Sequence, residues 1–200
     1  MKQDYQKLTI AIRYWMLGKE YHLALRAMEF AKKYHVGLRK DGVTPEFQHQ
    51  ISQANFARTL NLLLPEATLI TIFLHDVVED YKVKIKEIED EFGNFAAENV
   101  DLMTNQYPDG TKKSSDLYYK AMIQSPVASI AKGCDRMHNH QSALGVFTES
   151  KIQSYIDETD LHILPMLKEA SRLWVEQEAA YMNIRHILQT QMEFLSVISK

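Results

Sequence analysis

The sequence predicts an all-α fold, a single-domain helical bundle, on three observations. Apolar residues recur at helical spacing along most of the chain. Seven Gly and five Pro among 200 residues leave long stretches without a breaker. Strand-like alternation is absent or short. The length also suffices to bury one sizeable core without staples.

Leu23, Ala27, Phe30, Ala31 and Tyr34 mark an amphipathic helix over residues 19–35. Gly37 and Gly42 bracket a charged loop that runs to Pro45. With Pro45 in its first turn, a second helix is expected to about Leu63. Pro65 opens a third, Glu66 to Asp80, whose middle (Leu69, Ile70, Ile72, Phe73, Leu74) is apolar nearly all round. Such a helix belongs at the centre of a bundle. Ile85, Ile88 and Phe92 stripe a fourth that stops near Gly93, and a short one follows to Met103. Residues 105–114 form the clearest loop, with Pro108-Asp109-Gly110 as its turn signal. Ser125-Pro126 is an N-cap and first-turn pair for a helix expected to stop near Gly145, with Val127, Ile130, Ala131 and Cys134 on its core side. A segment broken at Pro165 and a long last helix from about Ser171 to Ile198 complete the chain. The stripe of Ile184, Leu188 and Leu195 on that last helix suits either the core or a homo-oligomer contact.

A formal charge of -3 gives no electrostatic case for binding a nucleic-acid polymer, so any attraction for phosphate must be local. The lone Cys134 excludes an internal disulfide and suits a reducing compartment. Neither a targeting segment nor a membrane span is legible, and the expected location is the cytoplasm.

The chemistry concentrates in Phe73-Leu74-His75-Asp76-Val77-Val78-Glu79-Asp80. Glu79 and Asp80 each lie four residues beyond His75 and Asp76, so one helical turn presents an imidazole and three carboxylates to a shared region. Crowded carboxylates at the end of an apolar helix repel and lose hydration, a cost that a divalent cation would offset. Neighbouring side chains diverge by roughly 100° on a helix, so further ligands must come from other helices. His49 lies 26 residues before His75, a distance that suits an antiparallel return, and Asp135 interrupts the apolar helix from Ser125. Two imidazoles and two carboxylates favour manganese, iron or a similar first-row ion over structural zinc.

These residues fall in an ordered series: His-Val-Gly-Leu-Arg-Lys-Asp-Gly at 35–42, Thr-Pro-Glu-Phe-Gln-His at 44–49, the segment at 73–80, Glu-Phe-Gly at 91–93 and Lys-Gly-Cys-Asp-Arg-Met-His-Asn at 132–139. The series resembles the HD hydrolase domain of the RelA/SpoT family, and in size a stand-alone small alarmone hydrolase. The resemblance covers about residues 20–145, with the helices over 150–200 expected to pack on it within one domain, 1–200. It implies an HD-type helical bundle and manganese-dependent removal of the 3′-pyrophosphate from guanosine tetra- and pentaphosphate, part of the stringent response. It further implies that His49, His75, Asp76 and Asp135 bind Mn2+, that Glu79 and Asp80 act on the attacking water, and that Arg39, Lys40 and Asn139 touch base, phosphate or ribose. Three departures stand out. Gln50 follows His49 where that family usually has Pro, Gly133-Cys134 replaces a Leu-Ala pair, and His140-Gln141-Ser142 replaces a more basic stretch.

Independently of the resemblance, Arg39, Lys40, Lys112, Lys113, Lys132 and Arg136 are the cations available to neutralise a substrate's phosphates. No Gly-rich phosphate loop is present. His35 is expected to end a helix with its ring on the last carbonyls. His138 and His140, flanking Asn139 on other faces, are not expected as ligands, and Cys134 reads as a small core residue. The expected partner is a small nucleotide. Two other functions fit the same ligands: a different HD nucleotide phosphohydrolase, acting on a nicotinamide dinucleotide phosphate or a deoxynucleotide, or a non-catalytic nucleotide-binding module.

Overall fold

The computed structural model describes residues 4–198, and among them every regular element is helical. In chain order these are α1 (Tyr5–Gly18), α2 (His22–Lys32), α3 (Gln48–Ala57), α4 (Pro65–Tyr81), α5 (Ile85–Phe92), α6 (Asn94–Met103), α7 (Ser115–Ile123), α8 (Pro126–Gln141), α9 (Glu149–Glu158), α10 (Leu164–Leu173) and α11 (Glu178–Ile198). One continuous apolar core runs from Ile12 and Met16 of α1 to Ile184 and Leu188 of α11, the all-α single-domain bundle the sequence predicts. No helix among the described residues is long and apolar enough to cross a membrane.

α4 lies at the centre. Every residue from Thr68 to His75 is buried, as its all-round apolar middle predicts. α2, α3, α6 and α8 surround it. α8 is capped by Ser125, whose hydroxyl accepts from the amides of Val127 and Ala128, and Pro126 sits in its first turn.

Three expectations are corrected, and α1 is added where the sequence was left unassigned. α1 carries no motif and has apolar residues on both faces: Ile12 and Met16 are buried while Ile10, Tyr14 and Leu17 face solvent, which blurs the period. It is fixed instead by the Asp4 cap and by Asn55 and Arg58, which donate to the Leu8 and Ala11 carbonyls. α3 begins at Gln48 rather than Pro45, because Leu38 and Pro45 pair across a tight loop. The Asp41 carboxylate accepts from the amides of Val43 and Thr44 at its tip. Nor does Pro165 break its segment. A π-helical turn, Thr159–Ile163, joins α9 to α10, with the Leu164 amide donating five residues back to Thr159. Pro165, which has no N–H to offer, then falls in the first turn of α10. The break comes at Trp174, so α11 starts at Glu178 rather than near Ser171.

α11 packs its Ile184–Leu188 stripe on α8 and completes the core. Gly133 permits the approach: a Cβ there would stand 2.7 Å from Ile184 Cγ2 and 3.3 Å from Leu167 Cδ2. That close packing accounts for the small Gly133-Cys134 pair just before Asp135.

Candidate metal centre and the cavity beside it

Three helices bring the four expected ligands together. His49 comes from the first turn of α3, His75 and Asp76 from the last two turns of α4, and Asp135 from the middle of α8. Donor atoms of His49, His75 and Asp76 lie within 4.8 Å of one another. Asp135 Oδ1 is 3.1 Å from His49 Nε2 and 3.7 Å from His75 Nε2, while Asp76 Oδ1 is 3.1 Å from His75 Nε2. His49, His75 and Asp135 are buried and Asp76 is half-buried.

Each ligand is held from behind. His75 Nδ1 donates to the Ile72 carbonyl at 2.8 Å, which turns Nε2 toward the carboxylates. His49 Nδ1 meets His138 Nδ1 at 2.8 Å. Asp135 receives the Asn139 amide on Oδ1 at 2.9 Å and the Lys132 ammonium on Oδ2 at 3.2 Å. Asp76 Oδ2 receives the Gln50 amide at 2.8 Å. Such partners fix ring orientation and ligand geometry in metal sites. Gln53 also reaches in, its amide nitrogen 2.6 Å from His49 Nε2.

The cluster fits a divalent cation. His75 Nε2 is buried without a hydrogen-bond partner, although it points among carboxylates. An unpartnered buried nitrogen is costly, and a cation at that point satisfies it. The charge balance agrees. Burial opposes a charge on His75, but Asp76 and Asp135 outweigh it and lift its imidazole to about 9, so a proton stands in where a cation is absent. Burial alone would raise the Asp135 carboxyl. The Lys132 charge, the hydrogen bond from His49 and the nearby His75 imidazole outweigh it and hold that carboxyl well below the usual range. Burial, then the charges of His49 and Arg39, push the His138 imidazole down to about 2, leaving it a neutral partner.

The two further acids of α4 separate. Glu79 accepts from the backbone amides of Asn105 and Gln106, which anchors the loop after α6. Asp80 keeps an exposed side chain but lies against the acidic cluster. Partial desolvation, then the charges of Asp76 and Glu79, raise its carboxyl to about 6.

A cavity of about 520 Å3 adjoins the cluster, with His138 and Asn139 in its wall. Arg39, Lys40, Phe147 and Tyr155 line it as well. Arg39 donates to Ser142 Oγ at 3.2 Å, and Lys40 sits over the Phe147 ring at 5.0 Å. Among the expected cations, only these two line the cavity. Lys132 is spent on Asp135, Arg136 is buried against Glu158 at 2.5 Å with Tyr155 under it, and Lys113 is held by Asp101. Arg136 and Lys132 therefore stand behind the site rather than in its wall. Asn139, expected at the substrate, has its amide on Asp135.

Sequence reasoning set His138 aside as a ligand, noted Gln50 only as a departure from the family pattern, and did not reach Gln53. His138 follows Asp135 by three residues on the same helix, so its shared face was legible. The glutamines carry no chemistry that marks them before burial is known. His35 behaves as expected, its Nδ1 2.9 Å from the Ala31 carbonyl, and Cys134 is fully buried with its thiol pushed up by desolvation.

An all-helical bundle with His49, His75 and Asp76 gathered where three helices meet, and Asp135 beside them, offers a donor set that could hold a metal ion. Residues 27–107 match the family model of the HD domain. The matched segment holds His49, His75, Asp76, Glu79 and Asp80, and Asp135 lies beyond it. An HD domain with such a cluster fits a metal-dependent phosphohydrolase.

Proposed function

We propose that this protein hydrolyses a phosphorylated nucleotide, and specifically that it removes the 3′-pyrophosphate of guanosine tetra- or pentaphosphate, or of a related purine alarmone, with Mn2+ as its ion. The observation that carries the reading is the juxtaposition of four metal-type donors with a nucleotide-sized cavity bearing Arg39 and Lys40. Support for the alarmone comes from the ordered series of motifs in the sequence.

His49, His75, Asp76 and Asp135 would hold the ion, which when bound lowers the pKa of a water and polarises a phosphoryl oxygen. Asp80, with its carboxyl near neutrality, accepts the proton of the attacking water. Glu79 holds the neighbouring loop. Arg39 and Lys40 offset the charge of the phosphates, and Phe147 and Tyr155 offer apolar faces to a purine. The water oxygen bonds to phosphorus, the bond from phosphorus to the 3′-oxygen breaks, and the proton taken up by Asp80 passes to that oxygen, so the ribose leaves with a 3′-hydroxyl.

Purified protein with Mn2+ is expected to release pyrophosphate from guanosine tetraphosphate. A panel including nicotinamide dinucleotide phosphates and deoxynucleotides, scored for pyrophosphate against orthophosphate, tests this. A second reading, a different HD nucleotide phosphohydrolase, is favoured by the withdrawal of Lys132 and Arg136 from the cavity, which leaves two cations for the substrate. Orthophosphate release from another nucleotide, with guanosine tetraphosphate inert, would establish that one. Nucleotide binding without turnover of any member would instead mark a non-catalytic module.

A further inference from the structure

One support of the proposed metal centre is unusual in construction, and its role rests on the four donors holding an ion. Asp76 is the only half-buried ligand of the four, and it follows His75 directly, so its side chain diverges from the histidine by roughly 100°. Its Oδ1 lies 3.1 Å from His75 Nε2 and its Oδ2 3.8 Å from His49 Nε2, so the carboxylate borders the converging donors with both oxygens. Its Oδ2 receives Gln50 Nε2 at 2.8 Å. Gln50 is 1% exposed, and the same amide nitrogen lies 3.0 Å from His35 Nε2.

The direction of each hydrogen bond is set by the last link. His35 Nδ1 is 2.9 Å from the Ala31 carbonyl, an oxygen that can only accept, so Nδ1 carries the proton. Burial disfavours charge on this imidazole, which leaves Nε2 with a lone pair. A lone pair demands a donor, so the end of Gln50 that faces it must be the NH2. One N–H goes to His35, and the other reaches Asp76. An unsupported glutamine amide can turn about its last bond and present oxygen to the carboxylate, which would repel it. Here a backbone carbonyl of α2 forbids that turn through the imidazole between them.

We propose that His35 and Gln50 form a positioning pair for Asp76: α2 fixes the imidazole, the imidazole fixes the amide, and the amide holds Oδ2 and so sets the turn of the carboxylate toward the ion. The pair ties the ends of α2, α3 and α4 together at the metal centre. It also gives a reason for Gln50 after the ligand histidine, since a proline at that position has no side-chain amide to offer.

Calorimetric titration with Mn2+ of the wild type, Gln50→Met, His35→Phe and the double variant tests the pair. Methionine keeps length and apolar volume and lacks only the amide. Removing a partner of a metal ligand lowers affinity by about 10- to 100-fold, and that loss is expected for Gln50→Met at unchanged helix content. His35→Phe should lose less, because the amide stays but is free to turn. The double variant should bind no more weakly than Gln50→Met, since both act through one chain of hydrogen bonds. Wild-type affinity in Gln50→Met, or losses that multiply in the double variant, would overturn the proposal. Should Gln50→Met fail to fold, His35→Phe decides alone: weakened binding supports the pair and unaltered binding overturns it. A wild type that binds no Mn2+ brings down the metal centre and the pair with it, whereas tight wild-type binding with unaltered variants sinks the pair alone.

Discussion

The metal corner and the cavity beside it share His138 and Asn139 but are built by opposite means. In the corner, donors project from α3, α4 and α8, and each meets a second side chain or carbonyl that restrains it. The cavity is walled largely by the loop from Leu38 to Gln48 and the turn from Gln141 to Phe147, where Leu38, Leu144 and Val146 stay exposed. Of its two cations, Arg39 leans on Ser142 and Lys40 on the Phe147 ring. A packed corner responds to damage almost all-or-none, because removing one donor leaves other buried charges uncompensated. A wall of loops responds by degrees.

The largest effect expected is therefore at the corner. Asp76→Ala should weaken Mn2+ binding by more than about 100-fold and abolish turnover, with circular dichroism showing the helices intact. Arg39→Ala is its counterpart in the cavity, expected to raise KM by about 10-fold while calorimetry shows Mn2+ affinity unchanged. An equal loss of metal affinity in the two variants would mean that corner and cavity are one unit.

The next effect sharpens the boundary between them. Asp80→Asn should lower kcat by about 100-fold or more with metal affinity retained, since it removes the proposed proton acceptor and not a proposed ligand. Glu79→Gln should cost kcat less than about 10-fold and instead speed amide exchange at Asn105 and Gln106, the amides its carboxylate holds. The Asp80 carboxyl is raised to about 6 without a cation, and a bound cation draws it down. The acidic limb of kcat against pH is thus expected at or below 6 in the wild type and lost in Asp80→Asn. Reversed rank of the two variants would exchange their roles.

How much of this was legible in the sequence divides along the same line. The apolar run of α4 announces a central helix, and acids at the end of such a helix demand a counter-charge, so His75 and Asp76 could be read from one segment. His49 and Asp135 needed the series of motifs, because spacing alone does not say which helices meet. The cavity was poorly legible. Arg39 and Lys40 reach it, yet Arg136 and Lys132 carry equal charge in sequence and are turned away by Glu158 and Asp135, contacts that depend on tertiary packing. α1 escaped notice for a related reason, its apolar residues lying on both faces. Pro165 misled because a π-helical turn, set by no local motif, absorbed it.

The smallest predicted effect probes the corner without any substitution. His75 holds its proton up to about 9 in the metal-free protein, above the ordinary value of 6.5, so the folded state binds a proton that the unfolded chain releases. The stability this confers is fully present below 6.5 and is lost as pH rises through 9. The buried His138 and His140 are held low, at about 2 and about 4, and have released their protons well before this window. Between pH 7.5 and 9 the metal-free protein should lose on the order of 1–2 kcal/mol, a fall in Tm of roughly 5 °C for a chain of this size. With excess Mn2+ the proton is displaced and the ion's affinity grows as competition from protons fades, so the slope of Tm against pH should flatten or reverse. Parallel slopes with and without Mn2+ would show that the ion does not compete for the His75 nitrogen, and would remove that histidine from the corner.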